Sequence, residues 1–417
     1  IAGAFAGTRA KYVGDTYNPV AFIERSQSNK SKLLNFSGSL YLEWDIIDEL
    51  MFATNFSPVF NTTIVDKWFN AENPEEGPDT QNSLFQRSHN LTRWTWYNTL
   101  LFQKSFGEHH NVTALAGMEA ISESYNGIGA SRYDYLIEDV DYRHLNAGDS
   151  TKDNWGYGTE VSIFSLFAKL DYDFNGKYII SGTIRRDGTS RFAPENRYGI
   201  FPAASLAWRI SEENFMQGFS FLNDFKIRIG WGQTGNQDIG IYNVYNTYGV
   251  DLNSASYDWD GTQNSAVAGY NSMQFGNPEV KWETTTTMNI GLNLSFLDSR
   301  LNIDFDIYRR ETSDMLMIKI LPSTGGTADY PWDNIGDVKN EGIDLGISYQ
   351  SPEYGMFNWS IGANVSFYRN EVIRLSDSTE HMYGYRLPPG VTTHITKEGY
   401  PIGCFFGYNI LGIFNSL

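Results

Sequence analysis

The sequence predicts an all-β protein, an antiparallel transmembrane β-barrel whose strands are joined alternately by short periplasmic turns and long extracellular loops. Three observations carry that expectation. Apolar and polar residues alternate along stretches long enough to span a bilayer, the connections alternate between short and long, and Trp or Tyr recurs near expected strand ends. Composition agrees: 15% of the 417 residues are aromatic (Tyr 26, Phe 27, Trp 11) and there are 39 glycines, which suits strands and tight turns better than helices.

The strands follow in order. "SLYLEWDI" sets Leu40, Leu42, Trp44 and Ile46 against Tyr41, Glu43 and Asp45. "FKIRIGWG" sets Phe225, Ile227, Ile229 and Trp231 against Lys226 and Arg228, and "TMNIGLNLSF" sets Met288, Ile290, Leu292, Leu294 and Phe296 against Asn289 and Asn293. "LNIDFDIYRR" sets Leu301, Ile303, Phe305 and Ile307 against Asn302, Asp304, Asp306 and Tyr308, and "FNWSIGANVSFY" runs from Phe357 to Phe367 in the same manner. Successive strand side chains point to opposite faces, so each stretch has one face bare of charge.

The connections discriminate further. "IIDEL" is short, about thirty residues then run from Asn61 to Asn90, and "SFGEHHN" is short again. A long segment around Gly127 to Gly158 precedes the tight "FNGKY". Long loops from Asn236 to Glu279 and from Ser313 to Asn340 alternate with the tight "LDSR" and "SPEYGM". Alternation by itself is equally the mark of a soluble β-sandwich with its apolar face inward. Strand length, the loop asymmetry and aromatics at Trp94, Trp96, Trp208, Trp231 and Trp359 tip the reading to a membrane barrel, in which apolar residues meet lipid and Asp304, Asp306, Asn289 and Asn293 face the lumen. About thirteen strand candidates lie between Leu33 and Phe414, an odd number where single-chain bacterial barrels have an even one, so the chain is expected not to close a ring alone.

Other classes are disfavoured. A net charge of −18 argues against a nucleic-acid binder, which needs clustered cations. The single cysteine, Cys404, cannot form an internal disulfide, and no apolar run reaches the roughly 18 residues of a spanning helix. Of the histidines His89, His109, His110, His144, His381 and His394, only one pair is adjacent, and neighbours in a strand or turn point apart, so no metal site is expected. "DGTSRF" lacks a nucleophile elbow and "GWGQTGNQDIG" lacks the Gly-Lys-Ser/Thr ending of a phosphate loop. The acidic "IEDVDYRHLNAGDSTKDNW" has no EF-hand spacing and reads as a solvated loop, and Asp304 and Asp306 read as lumen hydrophilicity rather than a glycosidase pair. No enzyme and no cofactor is expected. Ligand contact is best placed where aromatic and polar side chains mix in the long loops: Trp155 and Tyr157, Tyr257 and Trp259, Tyr330 and Trp332. Flat rings can stack on apolar sugar faces while Asp and Asn take the hydroxyls, although such rings also pack loops together.

Five ordered words, "GTIRRDGTSRFAPENRYGIFPAASLAWRISEENFM" (182–216), "FKIRIGWGQTGNQDIG" (225–240), "NPEVKWETTTTMNIGLNLSFLDSRLNIDFDIYRRETSDML" (277–316), "NIGDVKNEGIDLGISY" (334–349) and "YPIGCFFGYNILGIF" (400–414), resemble the SusC/RagA family of TonB-dependent outer-membrane transporters. "YNPVAFIER" (17–25) and "WTWYNTLLFQKSFGEHHNVTALAGME" (94–119) are similar to that family's upstream barrel region. The resemblance implies a larger, 22-stranded barrel in the outer membrane of a Bacteroidetes-type Gram-negative cell, importing oligosaccharides or peptides beneath a SusD-like lipoprotein lid. It also implies a plug coupled to TonB, and contact with outer-membrane lipid and lipopolysaccharide. Residues 1–417 would then be a partial barrel domain, with the plug, the N-terminal extension and the final strands outside it. The competing expectations are a surface glycan-binding or adhesion protein without transport and, more remotely, a secreted glycosidase.

Overall fold

The computed structural model describes residues 19–69, 82–149, 152–219, 221–250, 256–258, 261, 266–321, 328–352, 357–375, 381–384, 386–387, 391–409 and 411–412. After a short helix, Pro19–Ser26, come β1 (Lys30–Ser37), β2 (Leu40–Ile47), β3 (Leu50–Phe69), β4 (Ser83–Phe106), β5 (His110–Tyr133), β6 (Asp153–Phe174), β7 (Tyr178–Thr189) and β8 (Tyr198–Arg209). β9 (Leu222–Asn236), β10 (Glu283–Phe296), β11 (Leu301–Ser313), β12 (Asp337–Gln350) and β13 (Ser360–Arg374) complete the principal set. These thirteen form one sheet in the order β1-β3-β4-β5-β6-β7-β8-β9-β10-β11-β12-β13, with β2 also paired to β3. No helix among the described residues is long and apolar enough to cross a membrane, which is silent on crossing by strands.

The strands are longer than the alternation predicts. Asn61 to Phe69 and Ser83 to Asn90, expected in a loop, extend β3 and β4, and Gly127 to Tyr133 with Asp153 to Gly158 do the same for β5 and β6. The cause is visible in the side chains. A ladder needs only backbone partners, and here the polar residues add their own: Thr62 Oγ1 donates to Asn90 Oδ1 at 2.9 Å, and Asn90 Nδ2 donates to Asn126 Oδ1 at 3.3 Å, so one hydrogen-bonded row crosses β3, β4 and β5. Trp94 and Trp96 consequently lie in the middle of the 24-residue β4, not near its end. Toward the C-terminus the opposite holds. "YPIGCFFGYNILGIF" contributes, among the described residues, only the short strand Cys404–Phe405.

The contacts divide the chain into two compact units. One draws its described residues from Ile1–Leu42, Thr54–Tyr97 and Ala120–Ser162, the other from Glu43–Ala53, Asn98–Glu119 and Ile163–Leu417. In the second unit the register is continuous over five strands. Ile229, Ile290, Ile307, Ile343 and Phe367 stand in one cross-strand row of β9 to β13, and Ile227, Leu292, Phe305, Leu345 and Val365 stand in the next. Parity puts Arg228, Gly291, Asp306, Asp344 and Ser366 in a row between them on the opposite face. The apolar face is open: Ile290, Ile307 and Phe367 are 54%, 48% and 71% exposed.

Burial is concentrated where the longer connections meet. Phe192, Phe201, Ile239, Val244, Val280, Trp282 and Leu316 form a core with Trp332 packed against it. Trp282 meets Phe192 and Phe201 edge-on, with ring centroids 5.5 and 5.3 Å away, and its Nε1 donates to the Arg197 carbonyl at 3.0 Å. The tight turns need left-handed backbone. In "FNGKY", Asn175 (φ 58°) and Gly176 (φ 67°) supply it, and Gly176 N–H is capped by Asp173 Oδ1 at 3.0 Å.

Candidate ligand-binding site

In the first unit, four rings from three strands assemble into a shelf. His89 on β4 stacks on Tyr125 of β5 (centroids 5.7 Å, 10° between planes), and Trp155 and Tyr157 of β6 stack on each other (5.7 Å, 11°). His89 lies 6.1 Å from Trp155 and 6.0 Å from Tyr157, and Tyr125 lies 5.6 Å from Tyr157. The Tyr157 hydroxyl and His89 Nδ1 are hydrogen-bonded at 2.9 Å. The sequence creates room for these rings with a glycine opposite them. A Cβ on Gly127 would stand 2.7 Å from His89 Nδ1 and 3.0 Å from the Tyr157 ring, and one on Gly129 would collide with the Trp155 indole.

Polar groups border the shelf on the same strand parity. Arg87 precedes His89 by two residues on β4, and farther along that face Arg93 Nη1 approaches Glu123 Oε2 at 3.8 Å. Tyr157 remains 42% exposed. Stacked rings flanked by a guanidinium and a carboxylate can hold a ligand by its flat apolar faces and orient it by its hydroxyls, amides or charges.

Trp155 and Tyr157, expected in a loop, thus stand on a strand and are brought together. The other loop aromatics do not join them in this shelf. Tyr257 sits on the short strand Ser256–Asp258, 69% exposed and in register with Val267, while Trp259 lies outside the described residues. Trp332 packs against the buried core, its carbonyl accepting from Asn277 Nδ2 at 3.0 Å, and Tyr330 is half-buried two residues before it.

Asn289, Asn293, Asp304 and Asp306 lie on the polar face of the second unit. Asn293 Nδ2 donates to Asp304 directly across the β10–β11 ladder, and Arg228 Nη2 donates to both carboxylate oxygens of Asp306 at 3.1 Å. Asn289 extends over Gly230. From β7, Arg185 Nη2 donates to Glu119 Oε2 of β5 at 2.7 Å, and its Nε donates to Asp187 Oδ1 on its own strand at 2.6 Å. These carboxylates are partnered by cations and amides, and pairs as exposed as these contribute little to stability each.

His109 and His110 turn to different partners, His109 Nδ1 to Asn175 Oδ1 at 3.0 Å and His110 Nδ1 to the Tyr172 hydroxyl at 2.8 Å. Among the described residues no three His, Cys, Asp or Glu side chains cluster in a way that could hold a metal ion. Sequence reasoning missed His89 and Tyr125. Both occupy ordinary alternation positions, and only the pairing of β4, β5 and β6 brings their rings beside Trp155 and Tyr157.

The family model described as "TonB dependent receptor-like, beta-barrel" matches residues 6–395. TonB-dependent receptor P3 of Formosa agariphila is 30% identical over 404 residues, covering 96% of this chain and 39% of the relative. TonB-dependent receptor SusC of Bacteroides thetaiotaomicron is 34% identical over 265 residues, 62% of this chain and 26% of the relative. Among solved structures, the RagAB peptide transporter superposes with a TM-score of 0.80 at 26% identity, covering 92% of this chain and 41% of that one. The chain therefore spans about two fifths or less of the length of these relatives.

Proposed function

Since this chain belongs to the TonB-dependent receptor β-barrel family, we propose that it forms part of the wall of an outer-membrane nutrient importer, with the His89, Tyr125, Trp155 and Tyr157 shelf as a contact surface for the imported solute. The observation that carries the reading is the two-sidedness of β9 to β13. One face presents rows of Ile, Leu and Phe with no layer of described residues over them, and the other presents the bonded pairs Arg228–Asp306 and Asn293–Asp304. A soluble sheet would cover the first face. In a barrel wall the apolar face meets lipid and the polar face a wet lumen, where Asn289, Asn293, Asp304 and Asp306 would lie.

The shelf is compatible with the solute classes that the family resemblance implies. Ring faces beside Arg87 and the Arg93–Glu123 pair suit an oligosaccharide or a peptide, both of which alternate apolar surface with hydrogen-bonding groups. RagAB bears the name of a peptide transporter, which favours including peptides in the test. In this reading the exposed loop ring Tyr257 faces a SusD-like lipoprotein lid, and TonB acts through a plug supplied by another part of the protein. No catalytic step is assigned.

The test uses the full-length protein in its own outer membrane. It should extract only with detergent, run with heat-modifiable mobility, and accumulate labelled oligosaccharide or peptide in an energy-dependent way. Trp155→Ala with Tyr157→Ala should raise the half-saturating solute concentration while leaving heat-modifiability intact. Extraction without detergent, or solute capture with no dependence on the proton gradient, would replace the importer by a surface-binding protein.

A further inference from the structure

On the apolar face of the second unit, a groove of about 740 Å³ runs across β9 to β13. Its floor is the row containing Ile290, Ile307 and Phe367, and Trp231 and Met288 belong to the next row up. That row changes character along its length. After Trp231 and Met288 it continues as Arg309, Glu341 and Arg369, so two arginines and one glutamate border an otherwise apolar trough. Arg309 is engaged, with its Nη2 3.1 Å from Glu311 and its Nε 3.7 Å from Glu341. Lys339, one row farther on, lies 3.6 Å from Glu341 and 3.5 Å from Glu371. Arg369 stands opposite Glu341 in register, yet among the described residues it has no carboxylate within 4 Å, and it is exposed.

Arg369, unpaired among the described residues, stands two residues beyond the last fully apolar row, about 7 Å along the strand from Phe367, so an anionic headgroup held there would leave its acyl chain over apolar side chains. We propose that this groove is a specific site for a phosphate-bearing membrane lipid, with one acyl chain lying along Ile290, Ile307 and Phe367 and the phosphate on Arg369. The planar fork of arginine matches a phosphate bidentately, and because Glu311, Glu341 and Glu371 are all engaged by Arg309 or Lys339, Arg369 is the cation of this cluster left available to an anion among the described residues. Trp231 flanks the headgroup level, as aromatics do at bilayer interfaces. The inference rests on the reading that this face meets lipid and adds to it a selective position.

The test is lipid titration of the delipidated full-length protein in neutral detergent, read by native mass spectrometry with phosphatidylglycerol, a diacylglycerol of the same chains, and inorganic phosphate as probes. Phosphatidylglycerol should bind, diacylglycerol should bind at least several-fold more weakly, and phosphate alone should not compete. Arg369→Gln should weaken phosphatidylglycerol about tenfold, the scale of one charge-assisted hydrogen bond, and Ile290→Trp should weaken it independently by filling the groove. Equal binding of the two lipids, competition by phosphate, or wild-type affinity in both variants would overturn the site. Heat-modifiable mobility separates the two failures: if it persists while selectivity is absent, only the lipid site falls, and if the wild-type protein lacks it, the membrane-wall reading falls as well.

Discussion

Arg228 and Asp306 meet across an intervening strand: the guanidinium on β9 reaches over Gly291 of β10 to both carboxylate oxygens on β11, at 3.1 Å each. The glycine makes the contact possible, because a Cβ at 291 would enter the space of Asp306 Oδ1 and Arg228 Nη2. Gly291→Ala should therefore displace the pair. Both side chains are about one-third exposed, so the loss should be modest, about 1 kcal/mol. In an Asp306→Asn background the alanine should cost less, and a double-mutant cycle by denaturant unfolding reads the difference. A fully additive cycle would mean that the pair and the glycine are unrelated.

The two faces of β11 should respond oppositely to charge. Ile303→Arg puts a cation among Leu294, Ile347 and Ala363 on the open apolar face and should cost about 2 to 4 kcal/mol in a bilayer. Asp304→Asn keeps a partner for Asn293 and should leave folding nearly intact. Refolding into lipid vesicles measures both, and equal damage would contradict the assignment of faces.

Trp282 holds three connections together, so Trp282→Ala should cost about 3 to 5 kcal/mol, the usual range for a large aromatic removed from a core. Limited proteolysis should then cut within 189–197 and 236–246 at protease concentrations that leave the parent chain intact. Unchanged cleavage would show that the buried cluster does not order those segments.

Glu213 gives a pH prediction. The Tyr178 hydroxyl donates to it at 2.5 Å, with Trp208 Nε1 at 3.1 Å and Lys177 Nζ at 3.3 Å, and these hold its carboxyl below the usual carboxylate range. A depressed folded pKa means that the contribution is complete above the ordinary Glu value of about 4.3 and disappears as pH falls through the folded value. Glu213→Gln should lower the melting temperature at pH 7 and show a smaller further drop at pH 3. A variant melting in parallel with the parent at both pH values would remove Glu213 from the acid response.

Much of the fold is legible in the sequence because strand parity is local. "LNIDFDIYRR" alone separates Ile303 from Asp304, and the register bears out the same alternation in β9, β10 and β13. Strand ends are less legible. A polar stretch such as the one around Thr62 and Asn90 reads as loop until its cross-strand partners are known, and that partnership is set by pairing, not by local composition. The site is legible by half for the same reason: Trp155 and Tyr157 are conspicuous two residues apart, whereas His89 and Tyr125 acquire meaning only once three strands lie side by side. Trp332 illustrates the converse, an aromatic flagged by its polar neighbours that the fold uses largely for packing.

Because the ring cluster is carried on hydrogen-bonded ladders, most of its conformational freedom is surrendered when the protein folds, so a solute bound there as proposed would add little ordering cost. A recognition surface of this kind would evolve differently from one built on flexible loops. Inserting one residue early in β6 would rotate Trp155 and Tyr157 to the reverse side and strand Gly127 and Gly129 beneath nothing, so diversification would proceed by exchanging side chains at fixed coordinates and seldom by changing length.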